Sequence, residues 1–397
     1  MPQIKLIQSP KKSTKLIAFL SSVLLSVCSL SHAQTIIPSA PEVNAKGHIL
    51  IDYTTGKVIA ESNADILLAP ASLTKMMTSY IIGKELVSGN IKNDDIVKIS
   101  EKAWAKNYPG SSLMYIEVGT EVPVSLLNQG IIVASGNDAC VAMAEHIAGS
   151  ERAFADLMNQ HARRLGMTNT NYENATGLPS DNQYASAYDL AILARALITD
   201  SKQYYPIYTE KHFEFNDIRQ PNRNRLLWRD DTVDGIKTGH TDEAGYCLVS
   251  SAVRDGMRLI SVVMGSASEE TRAQETQQLL AYTYRFYEST ELYAAGQSIS
   301  DQRVWGGEVD NLSMGVLENL SLTLPRGQQD RLEVLLDLPR NIQAPVAVGD
   351  AIGSVVVSLD GEVISETPLV ALHAVEPGSF FKRLWHSILQ FFMNLIN

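Results

Sequence analysis

Cysteine is scarce in this chain of 397 residues, which contains only three. Cys28 lies in an apolar N-terminal segment, and Cys140 and Cys247 are too few to form a disulfide framework. Their separate apolar contexts favour two buried thiols, with a single disulfide between them as the alternative.

Positive charge is also in short supply, because 33 Lys and Arg residues stand against 44 Asp and Glu residues. The resulting net charge of −11 argues against nucleic acid as a partner, so any anion must be bound by local cations. The sequence contains no zinc-type cluster and no phosphate-binding loop. We therefore expect no metal and no cofactor.

The N-terminal region lacks an apolar run long enough to span a membrane. Its apolar run, 16–30, has about 15 residues, fewer than the ~20 that a spanning helix needs. Lysines precede the run and the small residues of Ser31-His32-Ala33 follow it. This pattern predicts a signal peptide at 1–33, cleaved before Gln34, and an exported protein. A short membrane anchor and a lipoprotein signal around Cys28 are the alternatives.

Residues 34–291 show a strand period, then a helical period, then a strand period again. Strand patterns on both sides of a helical insert predict an α+β fold class, with one antiparallel sheet and a helical subdomain. We expect strands at 48–51, 58–61, 246–253 and 257–264, and helices near 73–87, 125–134, 138–148, 151–165, 186–198 and 272–288.

Two further segments follow. Residues 292–377 carry short strand patterns at 321–324, 332–338, 351–359, 363–365 and 369–372, which predict a small all-β domain. In residues 378–397 apolar side chains recur at helical spacing, with four Phe, Trp385 and several basic residues among them. A core helix is one interpretation, but the position and the basic residues favour an amphipathic helix on a membrane surface.

Candidate chemistry begins at Ser72-Leu73-Thr74-Lys75, where a helical pattern starts after Pro70. Residues three apart on a helix share a face, with Cβ atoms about 5–6 Å apart, so Lys75 can reach the Ser72 hydroxyl. The start of a helix also presents free backbone N–H groups to an oxyanion. For this motif alone, a capping serine beside a solvated lysine is the alternative.

A Ser-x-Asn motif occurs three times, starting at Ser88, Ser135 and Ser180. Ser88 ends the helix that Ser72 begins, roughly 24 Å away, and Ser180 lies in a polar turn. Ser135-Gly136-Asn137 separates two apolar helices, where a polar corner is costly unless it faces a cleft. We therefore prefer Ser135.

Lys237-Thr238-Gly239 occurs once, directly before His240 and a predicted strand. This placement suits an edge strand whose lysine binds an anion, and the glycine would let a ligand backbone approach closely. A surface strand end is the alternative for this motif alone.

The order and spacing of the three motifs resemble the serine-type D-alanyl-D-alanine carboxypeptidases among the low-molecular-mass penicillin-binding proteins of the type-5/type-6 group. The likeness is carried by Pro70-Ala-Ser-Leu-Thr-Lys, Ser135-Gly-Asn-Asp-Ala-Cys and Val233-Asp-Gly-Ile-Lys-Thr-Gly-His-Thr. It implies a β-lactamase/transpeptidase-like catalytic domain at 34–291, a β-rich domain at 292–377 and a membrane-anchoring helix at 378–397. One departure is the loop around Tyr108-Pro109-Gly110, which is shorter than in close relatives.

The resemblance also implies a mechanism on a peptidoglycan stem peptide that ends in D-Ala-D-Ala, with β-lactams as inhibitors, at the periplasmic side of a bacterial inner membrane. Ser72 would be the nucleophile, Lys75 its base and Ser135 the proton carrier. Burial and the nearby charge of Lys237 would have to lower the pKa of Lys75 by roughly 3 units. The implied substrate-binding residues are Asn137, Lys237, Thr238, Gly239, His240 and Arg272.

Some assignments stay open at this point. For the side chain of His240 we favour a structural role. Asp200 and Arg223 are possible neighbours of the site. A class A β-lactamase shares the motifs, but we find no Glu-x-x-Leu-Asn segment between Ser135 and Lys237. A DD-endopeptidase and a non-catalytic cell-wall scaffold are the remaining alternatives.

Overall fold

The computed structural model describes residues 37–396 and the backbone of strand β1, Ile4–Gln8; the side chains of 394–396 lie outside the description. Most of the predicted signal peptide, including its cleavage point before Gln34, lies outside the described residues. The chain divides into two compact units. One is Pro38–Phe286, and the other joins the N-terminal residues to Tyr287–Asn397.

The first unit is an antiparallel sheet combined with helices, as the predicted fold class requires. The sheet has five strands in the order β3-β2-β10-β9-β8, so β8 is an edge strand. Helices α5 (Ala187–Asp200) and α7 (Glu269–Phe286) pack against this sheet. The strands of the unit are β2 (Gly47–Asp52), β3 (Val58–Ser62), β4 (Ile96–Lys98), β5 (Glu121–Pro123), β6 (His212–Phe215), β7 (Ile218–Pro221), β8 (Val233–Thr241), β9 (Gly245–Arg254) and β10 (Met257–Ser266).

The helices of the first unit bury a continuous apolar core with the sheet. They are α1 (Lys75–Ser88), α2 (Val124–Gln129), α3 (Asn137–Ala148), α4 (Glu151–Leu165), α5 (Ala187–Asp200), α6 (Leu226–Arg229) and α7 (Glu269–Phe286). The helix predicted at 125–134 changes character after α2, because Gly130–Ala134 forms a π-helical turn. Such turns are rare and often lie at functional sites.

The second unit is rich in strands. Its seven-stranded sheet has the order β1-β15-β17-β18-β13-β12-β16, and β11 pairs with β14. The elements are β11 (Tyr287–Tyr293), β12 (Ser300–Trp305), β13 (Asn311–Gly315), β14 (Leu320–Pro325), β15 (Leu332–Leu338), β16 (Ile342–Gln343), β17 (Ala351–Leu359), β18 (Glu362–Ala371) and helix α8 (Phe380–Ile396). The segments predicted at 363–365 and 369–372 form one strand, β18, which contains Pro368 and ends at Ala371.

Helix α8 packs one face against the β-rich part of its own unit. The backbone N–H of Gly306 donates to Nδ1 of His386 over 2.9 Å, and Nζ of Lys382 lies 2.8 Å from Oδ1 of Asp310. The other face is apolar and exposed, and it consists of Phe380, Phe381, Leu384, Trp385, Ile388, Phe391, Phe392 and Met393. Among the described residues, no helix is both long and apolar enough to cross a membrane.

Candidate active site

Ser72 and Lys75 lie at the start of the first long helix. Residues Ala71–Thr74 form a 3-10 turn and α1 begins at Lys75. Nζ of Lys75 donates to Oγ of Ser72 over 3.0 Å and to Oδ1 of Asn137 over 2.7 Å. It also donates to the backbone carbonyl of Thr176. An ammonium has three N–H donors, so these three oxygens satisfy the buried side chain of Lys75 completely.

Ser135 and Lys237 form a second pair on the other side of the site. The π-helical turn ends at Ser135, whose φ of 61° lies in the left-handed region. Nζ of Lys237, on edge strand β8, donates to Oγ of Ser135 over 3.0 Å. Both side chains are buried. By contrast, Ser180 is exposed and donates to the carboxylate of Glu173.

The two lysines have unusual acid–base properties because both are buried. Burial lowers the pKa of Lys75 to about 8, and repulsion from the Arg223 guanidinium acts in the same direction. Burial lowers the pKa of Lys237 well below its usual value, with repulsion from Lys75 and Arg223 as further causes. Arg223 therefore contributes to the electrostatics of the site, a role that the sequence left open.

The three motifs open onto one cavity of about 790 Å³, a size that suits a small ligand. The motif residues that line it are Ser72, Ser135, Asn137, Thr238, Gly239 and His240. Arg223 and Arg272 also line it, whereas Asp200 lies elsewhere and bonds to Tyr80 and Lys84. Lys75 and Lys237 join this group through their bonds to Ser72 and Ser135, so of the site residues and neighbours that the sequence singled out only Asp200 lies apart from it.

Arg272 and His240 sit where β8 meets β9. Nη1 of Arg272 donates to the carbonyls of Gly239, over 3.2 Å, and Cys247, over 3.4 Å. Its guanidinium lies 5.6 Å from the ring centroid of Tyr246, on which the His240 ring stacks at 4.0 Å. Backbone carbonyls thus engage Nη1 of Arg272, which carries two of the five N–H donors of the guanidinium.

Gly239 allows a close approach of strand β8 to the turn that carries Ser72. A Cβ at this position would lie 3.0 Å from the Pro70 carbonyl oxygen and 3.2 Å from the backbone nitrogens of Ser72 and Leu73. The tight neighbour is therefore the turn of residues 70–73. The glycine lets edge strand β8 lie directly against Ser72.

Several residues of the site gave no sequence signal. Oγ of Ser111 accepts from Nδ2 of Asn137 over 2.9 Å, and Ser112 bonds to the Arg223 guanidinium. Asp138, next to Asn137, is buried and accepts the backbone N–H groups of Met114, Tyr115, Ile116 and Ala139. Asp138 thereby holds the loop that carries the two serines. Only its position beside the second motif could have drawn attention to it.

Both cysteines of the described chain are free and buried, as the sequence favoured. Burial raises the pKa of the Cys140 thiol to about 12 and that of Cys247 to about 11. Neither thiol supplies a thiolate near neutral pH.

Comparisons with known proteins agree with this geometry. The family model described as D-alanyl-D-alanine carboxypeptidase matches residues 34–268, and that of the penicillin-binding protein 5 C-terminal domain matches 287–377. The chain is 45% identical to the D-alanyl-D-alanine carboxypeptidase DacA of Escherichia coli over 380 residues, which cover 93% of this chain and 94% of the relative. It is 44% identical to the E. coli carboxypeptidase DacC, over 89% of this chain and 90% of the relative.

Among solved structures, penicillin-binding protein 5 of Haemophilus influenzae aligns with a TM-score of 0.83 at 44% identity. The alignment covers 85% of this chain and 99% of that structure. A D-alanyl-D-alanine endopeptidase of E. coli is more distant, at 26% identity over 66% of this chain and 88% of the relative.

Proposed function

This chain belongs to the D-alanyl-D-alanine carboxypeptidase family of serine hydrolases, and we propose how its own residues perform that reaction. The observation that carries the proposal is the contact between a buried lysine amine and a serine hydroxyl, Nζ of Lys75 to Oγ of Ser72. Burial favours the neutral amine, which alone can accept a proton. A peptidoglycan stem peptide as substrate and β-lactams as inhibitors both fit this family.

Ser72 is the nucleophile of the proposed mechanism. Its Oγ attacks the carbonyl carbon between the two D-alanines while its proton passes to the neutral amine of Lys75. The backbone N–H groups of Ser72 and His240 are the donors proposed for the oxyanion. The peptide C–N bond then breaks, D-alanine leaves, and an ester joins the rest of the peptide to Ser72. Water hydrolyses this ester and regenerates the serine.

Ser135 and Lys237 act on the leaving D-alanine, one as its proton donor and the other as a binding partner of its carboxylate. The leaving nitrogen needs a proton, which the Ser135 hydroxyl supplies, and the Lys237 ammonium that donates to Oγ of Ser135 replaces that proton. The terminal carboxylate of the substrate binds Lys237 and Thr238, with Arg223 and Arg272 adding positive charge around the same cavity. An anion beside Lys237 favours the protonated form of that lysine. Two ammonium groups this close repel each other, so substrate binding also favours neutral Lys75.

Asn137 links the parts of the site. Its Oδ1 fixes the Lys75 amine and its Nδ2 donates to Ser111. The proposed role of Asn137 is to orient the base and the substrate amide together. Gly239 keeps β8 close to Ser72, and the ring of His240 packs on Tyr246 without a part in proton transfer.

The proposal on Ser72 and Ser135 is tested by mass spectrometry after reaction with penicillin. We expect a covalent adduct on Ser72 in the wild type and in Ser180→Ala, which changes the exposed Ser-x-Asn motif. Ser72→Ala forms no adduct, and Ser135→Ala forms it more slowly. An adduct on another residue, or an equal effect of Ser180→Ala and Ser135→Ala, would contradict the assignment.

The proposal extends to the rest of the chain. Residues 1–33 direct export, 34–291 catalyse, 292–377 act as a spacer or partner-binding module, and 378–397 bind the periplasmic surface of the inner membrane. The exposed apolar face of α8 supports this last assignment. Two of its basic residues, Lys382 and His386, instead face the β-rich part, so Arg383 is the exposed cation near the surface.

A further inference from the structure

The loop of residues 173–183, here called the covering loop, is held by side-chain amides. Oδ1 of Asn174 accepts the backbone N–H groups of Thr176, over 3.1 Å, and Gly177, over 2.7 Å. The same oxygen accepts the Thr176 hydroxyl over 2.9 Å, and Nδ2 of Asn174 donates to the carbonyl of Leu178 over 3.0 Å. One side chain therefore organises the turn around Thr176.

Gln183 closes the covering loop from its far end. Its Oε1 accepts the backbone N–H groups of Glu173, over 3.0 Å, and Asn174, over 3.1 Å. Its Nε2 donates to the carbonyl of Leu178 over 3.0 Å. The Gln183 side chain is buried, so these bonds are shielded from competing water. Asn174 and Gln183 thus clamp the loop at its two ends and its middle.

The covering loop packs against the turn that carries Ser72. The carbonyl of Thr176 accepts from Nζ of Lys75, and both side chains are buried. Gly177, with a φ of 83°, lies so close to Ala71 that a Cβ would overlap the Ala71 carbonyl. The loop is therefore both the lid over the lysine amine and one of its three hydrogen-bond partners.

We propose that Asn174 and Gln183 are positioning residues of the reaction, which clamp the covering loop down so that the Lys75 amine stays dry and against Ser72. Neither amide bonds to Lys75 or Ser72 itself. This inference rests on the proposed role of Lys75 as the base. It assigns to two amides outside the three motifs the task of keeping that base neutral.

Two effects of a loosened loop oppose each other. Loss of the Thr176 carbonyl would remove a partner of the ammonium form, which would lower the pKa of Lys75. Water that enters offers a replacement acceptor, however, and relieves the burial that is the main cause of the low pKa. Relief of burial therefore dominates, and the pKa of Lys75 rises. The charged or titratable neighbours Asp138, Cys140, Arg223 and Lys237 lie outside the loop and stay unchanged.

The test compares acylation rates over a pH range from about 6 to 10, with a fluorescent penicillin in excess over the full chain. The variants are Asn174→Ala and Gln183→Leu. The matched control is Ser180→Ala in the same loop, because the Ser180 hydroxyl donates to the exposed carboxylate of Glu173 and the substitution leaves the Ser180 backbone carbonyl, which accepts from Gln183, in place. With penicillin in excess, the observed rate constant does not depend on how much of the preparation is folded.

The acylation rate constant rises with pH, and we expect the midpoint of this rise to lie about one pH unit higher in both variants than in the wild type. Near pH 7 this is about a tenfold loss, which shrinks toward high pH where Lys75 is neutral in every variant. Ser180→Ala follows the wild type. An unshifted midpoint, or a loss that is equal at every pH, overturns the inference even if the rates fall.

The inference and the proposed function fail in different ways. If penicillin still acylates the Ser72→Ala variant, Ser72 is not the nucleophile and the proposed function fails. The other outcome is that the wild type shows the expected pH dependence of acylation and the loop variants have the same midpoint pH. This result would leave the proposed function standing and reject only the roles of Asn174 and Gln183.

Discussion

Lys75 is the residue on which the proposed chemistry depends most. The pKa of Lys75 falls from 10.5 to about 8, so the charged amine is less stable relative to the neutral amine by about 3 kcal/mol than in an ordinary lysine. The sequence predicted a shift of similar size but attributed part of it to Lys237. Burial is the main cause in the structure, and Arg223 is the cation that lowers the pKa of Lys75 further.

This pKa gives a prediction for the wild-type enzyme. The proposed base is the deprotonated amine of Lys75, so we expect the rate of acylation by penicillin to rise with pH and to level off above the pKa of Lys75. We expect the midpoint near pH 8 and about a tenfold fall for each unit below it. Stopped-flow acylation measures this profile. A midpoint near the ordinary lysine value of about 10.4, or no dependence at all, would contradict the assignment of Lys75.

At the scale of elements, loop 111–116 depends on one buried carboxylate. Asp138, in the first turn of α3, accepts three N–H groups from Met114, Tyr115 and Ile116. Asp138→Ala leaves these donors without a partner in the interior. We expect about 3 kcal/mol loss in the free energy of unfolding, together with slower acylation because Ser111 and Ser112 lose their anchor.

Urea denaturation measures the stability of Asp138→Ala, and Asp156→Ala on the exposed side of α4 is its matched control. The control should unfold like the wild type within about 0.5 kcal/mol. Equal stability of the two variants would show that the carboxylate does not hold the loop.

Sequence patterns predicted the elements with regular periodicity well. The predicted helix at 151–165 and the strands at 332–338 and 351–359 have the observed bounds. Strands β12 and β13 were missed because their polar residues break the alternation. β18 was predicted as two pieces because Pro368 interrupts its pattern. Proline cannot donate to a sheet, so sequence reasoning places a strand end there.

In the site too, the sequence predicted contacts between residues that are close in the chain and missed contacts between distant ones. Ser72 and Lys75 are close in sequence, so helical spacing alone predicts their contact. The Thr176 carbonyl reaches Lys75 across 101 positions of the chain, and a backbone acceptor has no residue type by which a motif could reveal it. Contacts of this kind, including those of Ser111, depend on the tertiary fold.

At the scale of the whole molecule, the proposed membrane role of α8 depends on its exposed apolar face. Its exposed face includes Phe381, 81% exposed, and Trp385, 60% exposed. Burial of such side chains in a membrane interface contributes about 1.5–3 kcal/mol each. We expect the mature protein to sediment with anionic phospholipid vesicles and the double variant Phe381→Glu/Trp385→Glu to remain in the supernatant.

The matched control for α8 is Val363→Glu, which adds a charge at an exposed apolar residue of β18. It should bind vesicles about as well as the wild type. Equal binding of all three proteins, or no binding by the wild type, would remove the membrane role of α8. Either result leaves the chemistry of Ser72 untouched.

The most direct test of the central claim is D-alanine release from a pentapeptide that ends in D-Ala-D-Ala, by the mature protein and by Ser72→Ala. We expect release by the wild type and none above background by the variant, because the proposed ester on Ser72 is an obligatory intermediate. Equal release by both proteins would contradict it, and so would no release by the wild type.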